Sequence, residues 1–199
     1  MHTPDLITPI TEVCDTYLQA RTLLFKNTPM LQKLNGITAG VEALVAPLSS
    51  TLQVDYSIGQ GAWAHHPWVA LIDRRITTSV RHGICVGMSW NEDMSGFAYG
   101  IYFGMEGLRE SAGTHHDSHA IERLTFITRA AGVYADAFPV TTEQHVYSRF
   151  SYSAQARWLR FYHPRNALPD NRTFIQTYMF TMMVYAAITP AWIETYGSH

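Results

Sequence analysis

The hydrophobic period of the chain changes twice, and those two changes bound the folds open to it. From Thr8-Pro9 onward, Ile10, Val13, Tyr17 and Leu24 recur at helical spacing, and Pro9 suits a first helical turn, where a missing N–H costs nothing. This helix is expected to run to about Lys26, ahead of Pro29. A weaker helical stretch follows over Met30 to Ala46, interrupted by Gly36 and Gly40 and closed by Pro47. From Thr51 the period falls to two. Thr51 to Ser57 alternates, and Trp68 to Asp73 and Gly83 to Trp90 are apolar runs too short for helices, so all three read as strands. Asn91 to Gly96 carries turn residues and Phe97 to Phe103 returns as a strand, which makes the last pair a hairpin. Helical spacing then resumes. Asp117 or Ser118 is expected to cap a segment with Ile121, Leu124, Phe126 and Ile127 facing inward and Gly132 just past its end. Leu168-Pro169-Asp170-Asn171 opens a last helix carrying Phe174, Tyr178, Met182 and Tyr185. Strands enclosed by helical ends predict one α+β domain across residues 1–199: a mixed or antiparallel central sheet with a hairpin, flanked by N- and C-terminal helices.

Composition narrows the class further. With 47% hydrophobic and 15% charged residues among 199, the chain is neither disordered nor a coiled coil. Its apolar runs stop well short of about 18 residues, so no transmembrane helix is expected. The start, Met1-His2-Thr3-Pro4-Asp5, has neither the basic flank nor the apolar core of a signal peptide, which predicts a cytoplasmic protein with no membrane partner. Two cysteines, Cys14 and Cys85, cannot build a disulfide framework or a cysteine-rich zinc site. The net charge of −2 announces no nucleic-acid partner. Yet between Ser57 and Asn91 the charged residues are Arg74, Arg75 and Arg81 against Asp73, a local +2 helped by His65, His66 and His82.

The densest motif lies in that region. In Ser57-Ile58-Gly59-Gln60-Gly61-Ala62-Trp63, two glycines bracket Gln60 between one strand and the next. Glycines there allow a sharp turn and a close approach to a ligand, with Gln60 at the tip. No helix follows, which argues against a dinucleotide site. Trp63 and Trp68 beside an arginine cluster form the kind of platform that stacks a base near a phosphate backbone, although core packing is the commoner reason for a tryptophan. Arg74 to Arg81 connects two buried strands, and Arg74, Arg75, Thr77, Thr78 and Arg81 are phosphate-contacting types.

Catalytic signatures are sparse. His115, His116, Asp117 and His119 could set two imidazoles on one helical face, the pattern a small metal-dependent hydrolase or nuclease would use. However, capping explains Asp117 or Ser118 better, no second cluster completes a ligand set, and neither metal nor cofactor is expected. A nucleophile elbow and a phosphate loop are both missing from the sequence, and Cys14 falls in an amphipathic helix.

Taken as a series, Ser57 to Trp63, then Pro67-Trp68-Val69-Ala70, then Arg75-Ile76-Thr77-Thr78-Ser79 and Gly83-Ile84, resemble the McrB-type N-terminal domain. That domain is the specificity module of modification-dependent restriction systems, which act in phage defence. The resemblance continues to Tyr162 and Asn166-Ala167-Leu168-Pro169 and spans about Thr11 to Tyr185. It implies a non-enzymatic domain that binds double-stranded DNA containing a modified cytosine, methylated or bulkier, and flips that base into a pocket. Gln60 would fill the gap left by the base, supported by Gly59, Gly61 and Trp63. Trp68 would line the pocket. The family pattern has a tyrosine where this chain has Cys85 and a leucine where it has Ser89, and a second pocket tyrosine would be Tyr147 or Tyr152. The missing aromatic wall would fall to Trp90 or Tyr147, and the pocket should be roomier and more polar. Arg74, Arg75, Thr77, Thr78 and Arg81 would contact phosphates. Any GTPase motor or nuclease is expected in another domain or subunit. A protein-interaction domain on the same scaffold, with its pocket lost, is the remaining alternative.

Overall fold

The computed structural model describes residues 3–25, 29–104, 106–107, 110, 116–135 and 160–198. Five strands form one antiparallel sheet in chain order: β1 Leu52–Ser57, β2 Trp68–Asp73, β3 Ile84–Trp90, β4 Gly96–Phe103 and β5 Arg160–Pro164. Helices α1 (Ile7–Ala20) and α2 (Pro29–Val45) precede it, α3 (His116–Ala135) falls between β4 and β5, and α4 (Asn171–Tyr196) closes the chain. The α+β class, the hairpin of β3 with β4 and the flanking helices are as the hydrophobic pattern indicates. β5 lies in a polar, aromatic stretch without clean alternation, and only its pairing with β4 makes it a strand.

Some helix limits differ from expectation. α1 stops at Ala20, and Leu24 beyond it is almost fully exposed. Its buried stripe is Ile10, Val13, Cys14 and Tyr17, which already makes a complete apolar face without Leu24. α3 begins at His116 and carries Gly132 inside it. Leu124 and Ile127 are buried there, but Ile121 is exposed. By contrast, α4 starts as expected, with the Asp170 carboxylate accepting from the Thr173 N–H (2.9 Å), the usual N-cap bond. Asn171 Oδ1 also accepts from the Leu6 and Ile7 N–H groups (2.9 and 3.2 Å), tying the start of α4 to the start of α1.

The helices cover one face of the sheet. Val69, Leu71, Ile84, Val86, Met88, Trp90, Phe97, Tyr99 and Ile101 share a core with Ile10, Leu34, Val41, Phe174, Tyr178, Tyr185 and Trp192. Its polar atoms are used in place. The Trp90 indole N–H donates to the Ile10 carbonyl (3.3 Å). The Asp73 backbone N–H donates to Tyr185 Oη (3.0 Å), whose hydroxyl donates to the Ile84 carbonyl (3.1 Å). α4 is thereby tied to the middle strands. Among the described residues, no helix is long and apolar enough to cross a membrane.

Candidate nucleic-acid interface

Side chains alternate across a strand, and directly paired residues of neighbouring strands share a face. Register therefore settles where the sequence-derived residues go. Trp68 pairs with Ser89, Ala70 with Gly87 and Ile72 with Cys85. Across the next ladder, Ser89 pairs with Ala98, Gly87 with Gly100 and Cys85 with Tyr102, and Ala98 pairs in turn with Tyr162. All of these leave the face that the core helices do not cover. One row runs Trp68, Ser89, Ala98, Tyr162 across four strands, so Trp68 and Tyr162 stand about 14 Å apart at the backbone with two small side chains between them. Ser89 and Ala98 are buried, whereas Trp68 is half-buried. Tyr162 leans toward the β3–β4 turn, where its hydroxyl accepts from Asn91 Nδ2 (3.2 Å).

Beneath that row, Ala70, Ile72 and Cys85 form a small separate cluster against which Trp68, Val80 and Tyr102 pack. Burial pushes the Cys85 thiol up to about 12, so it stays protonated and behaves as a compact apolar group. Trp90, offered by the sequence as a replacement wall, lies on the helix-covered face and is fully buried. It cannot serve this face. Tyr147 and Tyr152 lie outside the described residues.

The Gln60 loop joins β1 to β2 at the Trp68 end of the sheet. It is closed by the Ala64 N–H donating to the Ile58 carbonyl (2.6 Å) and by the Tyr17 hydroxyl of α1 donating to the Ala64 carbonyl (2.8 Å). Gly59 has φ +120°, and a Cβ there would come 1.9 Å from the Ala62 carbonyl oxygen, so only glycine fits. Gly61 (φ +75°) has open space around it. Gln60 projects between them, exposed. Trp63 packs edge-on against Tyr17 and Phe25 and donates its indole N–H to the Leu23 carbonyl (3.0 Å). Its place is therefore under the loop, fastening it to the end of α1. Beside the tip, His65 bridges Glu92 of the β3–β4 turn and Arg21 just past α1, and this imidazole draws the Glu92 carboxyl below its usual range.

The arginine loop, residues 74–83, joins β2 to β3 at the other end of the sheet. β2 sets the two loops about 17 Å apart, roughly five base steps along a DNA strand. Arg74 is exposed and donates to the Ser50 carbonyl (3.0 Å). Arg75 turns back onto the buried Asp73 carboxylate (Nη2–Oδ2 2.6 Å). Burial pushes that carboxyl up, but the Arg75 hydrogen bonds outweigh it and hold it below the usual range. Arg81 forms a two-pronged pair with Glu106. Thr78 is exposed. Thr77 is not: it is 1% exposed, and its hydroxyl donates to the Ser79 carbonyl (2.9 Å) while accepting from the Ser79 N–H (3.1 Å). The sequence lists Thr77 with the surface groups because a threonine that shapes a loop and one that grips a phosphate look alike in a string.

His115 lies outside the described residues. His119 is exposed on α3 with Glu122 3.7 Å away. Among the described residues, no three histidine, cysteine or acidic side chains gather as a metal site. Residues that sequence reasoning overlooked are Tyr102 and the small pair Gly87 and Gly100, which only strand register reveals as neighbours of Cys85 and Ser89.

No curated protein and no solved structure matches the chain. The model of the MrcB-like, N-terminal domain matches residues 12–189, about nine tenths of the length and nearly the span of the sequence resemblance. The chain therefore belongs to the MrcB-like N-terminal domain family and is a DNA-binding module of a restriction system.

Proposed function

We propose that this domain reads a modified cytosine in duplex DNA by extruding it onto the sheet face opposite the core helices. The observation that carries the reading is one of register. The residue pair Trp68 and Ser89 stands side by side on that face, at the end where the loop presents Gln60. Extruding a base costs a few kcal/mol, and stacking on an indole returns about 1–3 kcal/mol. Gln60 enters the vacated stack. With the small Ser89 and Cys85 as neighbours of Trp68, the site takes a substituent on the cytosine ring, so hydroxymethyl or sugar-bearing cytosine is accepted at least as well as methylcytosine. Arg74, Thr78 and Arg81 face the phosphates from the opposite end of β2. Cleavage belongs to a GTP-driven motor or nuclease in another domain or subunit, and the domain itself is a reader without catalysis.

The test is a binding panel of otherwise identical duplexes carrying cytosine, methylcytosine, hydroxymethylcytosine or glucosylated hydroxymethylcytosine, with 2-aminopurine beside the target. Preferential binding to modified duplexes together with a fluorescence rise is expected. Equal binding to all four, or no rise, overturns the reading. A clear preference for plain methylcytosine overturns the roomier pocket alone.

A further inference from the structure

The outer side of α4 is unlike a helix surface that meets water. No charged residue lies between Arg172 and Glu194, whereas a solvated helix turns a charged or polar stripe outward. At about 100° per residue, Met183 points away from Trp192, which is fully buried. α3 packs on Trp192 and Tyr196 through Phe126 and Arg123. The core and α3 thus take the side opposite to Met183. Met183 is 65% exposed, and Ala186, Ala187 and Pro190 around it are exposed as well. A side without cations offers nothing to a phosphate backbone, so its occupant is not the duplex.

This side is also matched about its middle. Arg172 and Glu194 are both exposed, stand eleven residues before and after Met183, and point within about 20° of its direction. A second α4 laid antiparallel about Met183 therefore brings Arg172 of one copy to Glu194 of the other, and does so twice. The same pairing sets the half-buried Met179 opposite the exposed Ala187, and Gln176 opposite Pro190. Opposite charges meet at both ends, and a large side chain meets a small one between them. Parallel pairing would instead oppose Arg172 with Arg172 and Met179 with Met179.

We propose that the outer side of α4 joins two copies of this chain, antiparallel about a two-fold axis at Met183. The contact is isologous, each copy giving the same residues. About 33 Å of helix at about 10 Å across falls well under the roughly 1,200 Å² of a standard interface, which makes the dimer weak and transient. In each copy the sheet lies on the inner side of α4, so the two Trp68 faces look away from each other. The pairing does not depend on how either face reads DNA.

Sedimentation equilibrium on wild type, Met183→Glu, Arg172→Glu and Glu194→Arg tests this, with circular dichroism to verify the fold, since all three positions are exposed. Wild type should show a monomer–dimer equilibrium in the high micromolar range. Met183→Glu sets two carboxylates at the axis and should abolish it. Arg172→Glu and Glu194→Arg each oppose like charges at both ends and should weaken it about tenfold or more. An equimolar mixture of those two variants opposes a carboxylate with a guanidinium at both ends, and should regain wild-type association. A wild type that stays monomeric to millimolar concentration overturns the proposal and leaves this side of α4 to a different protein. A dimer untouched by Met183→Glu overturns α4 as its interface. A mixture as weak as its two components overturns the antiparallel register.

Discussion

The two faces of the sheet are built from the same strands yet differ in side-chain size. The helix-covered face carries Leu71, Met88, Trp90, Phe97 and Tyr99, and the other carries Ala70, Gly87, Ser89, Ala98 and Gly100 at alternate positions of the same strands. In most antiparallel sheets one face packs and the other meets water, which gives apolar and polar residues in alternation. Here β2, β3 and β4 are buried almost throughout, so both faces are occupied, and the contrast is between large and small side chains. Large residues hold the helices on. Small ones keep the sheet low between Trp68 and Tyr162, and shape there is set by the aromatics around the edge.

The sharpest way to break this contrast is to truncate one tryptophan on each face. Trp90→Ala should cost about 3–5 kcal/mol, as a fully buried aromatic that also bonds Ile10, and denaturant unfolding would measure it. Trp68→Ala, on a half-buried residue, should leave the unfolding midpoint far less changed. It should instead abolish the preference for modified duplexes, by about 1–3 kcal/mol in binding. If Trp68→Ala proved as destabilising as Trp90→Ala and left discrimination intact, the faces would not divide packing from recognition.

Acid should attack the packed face first. His163 of β5 packs against both Phe97 and Tyr99 (ring centroids 5.2 and 5.6 Å), and its buried Nε2 has no hydrogen-bond partner among the described residues. Burial lowers its pKa to about 4 from 6.5. Between those values the unfolded chain binds the proton more readily, so stability rises with pH there and falls by at most about 3 kcal/mol on acidification from 6.5 to 4. His163→Phe should flatten that slope in melting curves recorded across the interval, and an unchanged slope would place the acid sensitivity elsewhere.

How far the sequence speaks differs between the same two regions. The packed face was legible because helical spacing in α1 and α4 and apolar runs in β2 and β3 are local signals. Trp68 and Gln60 were legible through an ordered series of short motifs. Tyr102 was not, since its neighbourhood with Cys85 and Gly87 comes from strand pairing between residues far enough apart that no periodicity links them. Trp90 misled for the complementary reason: a tryptophan one residue from Ser89 looks like a neighbour, but alternation sends it through the sheet. Arg75 and Thr77 are read as surface groups by type, whereas the buried Asp73 carboxylate and the Ser79 backbone claim them.

That last point yields the smallest expected effect. The positive charge of this loop is partly offset, for Arg81 already holds Glu106, whereas Arg74 donates to the neutral Ser50 carbonyl. A phosphate approaching Arg81 must displace a carboxylate that mimics it, while Arg74 gives its guanidinium without such competition. Arg74→Ala should therefore weaken binding to modified and unmodified duplexes alike, by a few-fold, and reduce the salt slope by about 0.9 for the lost phosphate contact. Arg81→Ala should do less. Glu106→Gln should do the reverse, tightening binding to every duplex by a few-fold while the ratio between modified and unmodified stays fixed, because exposed pairs of this kind are worth under about 1 kcal/mol. Titrations at several salt concentrations separate these outcomes. A change in the modified-to-unmodified ratio in Glu106→Gln would mean that the arginine loop reads the base as well as the backbone, and the 17 Å between the two loops would then not divide their roles.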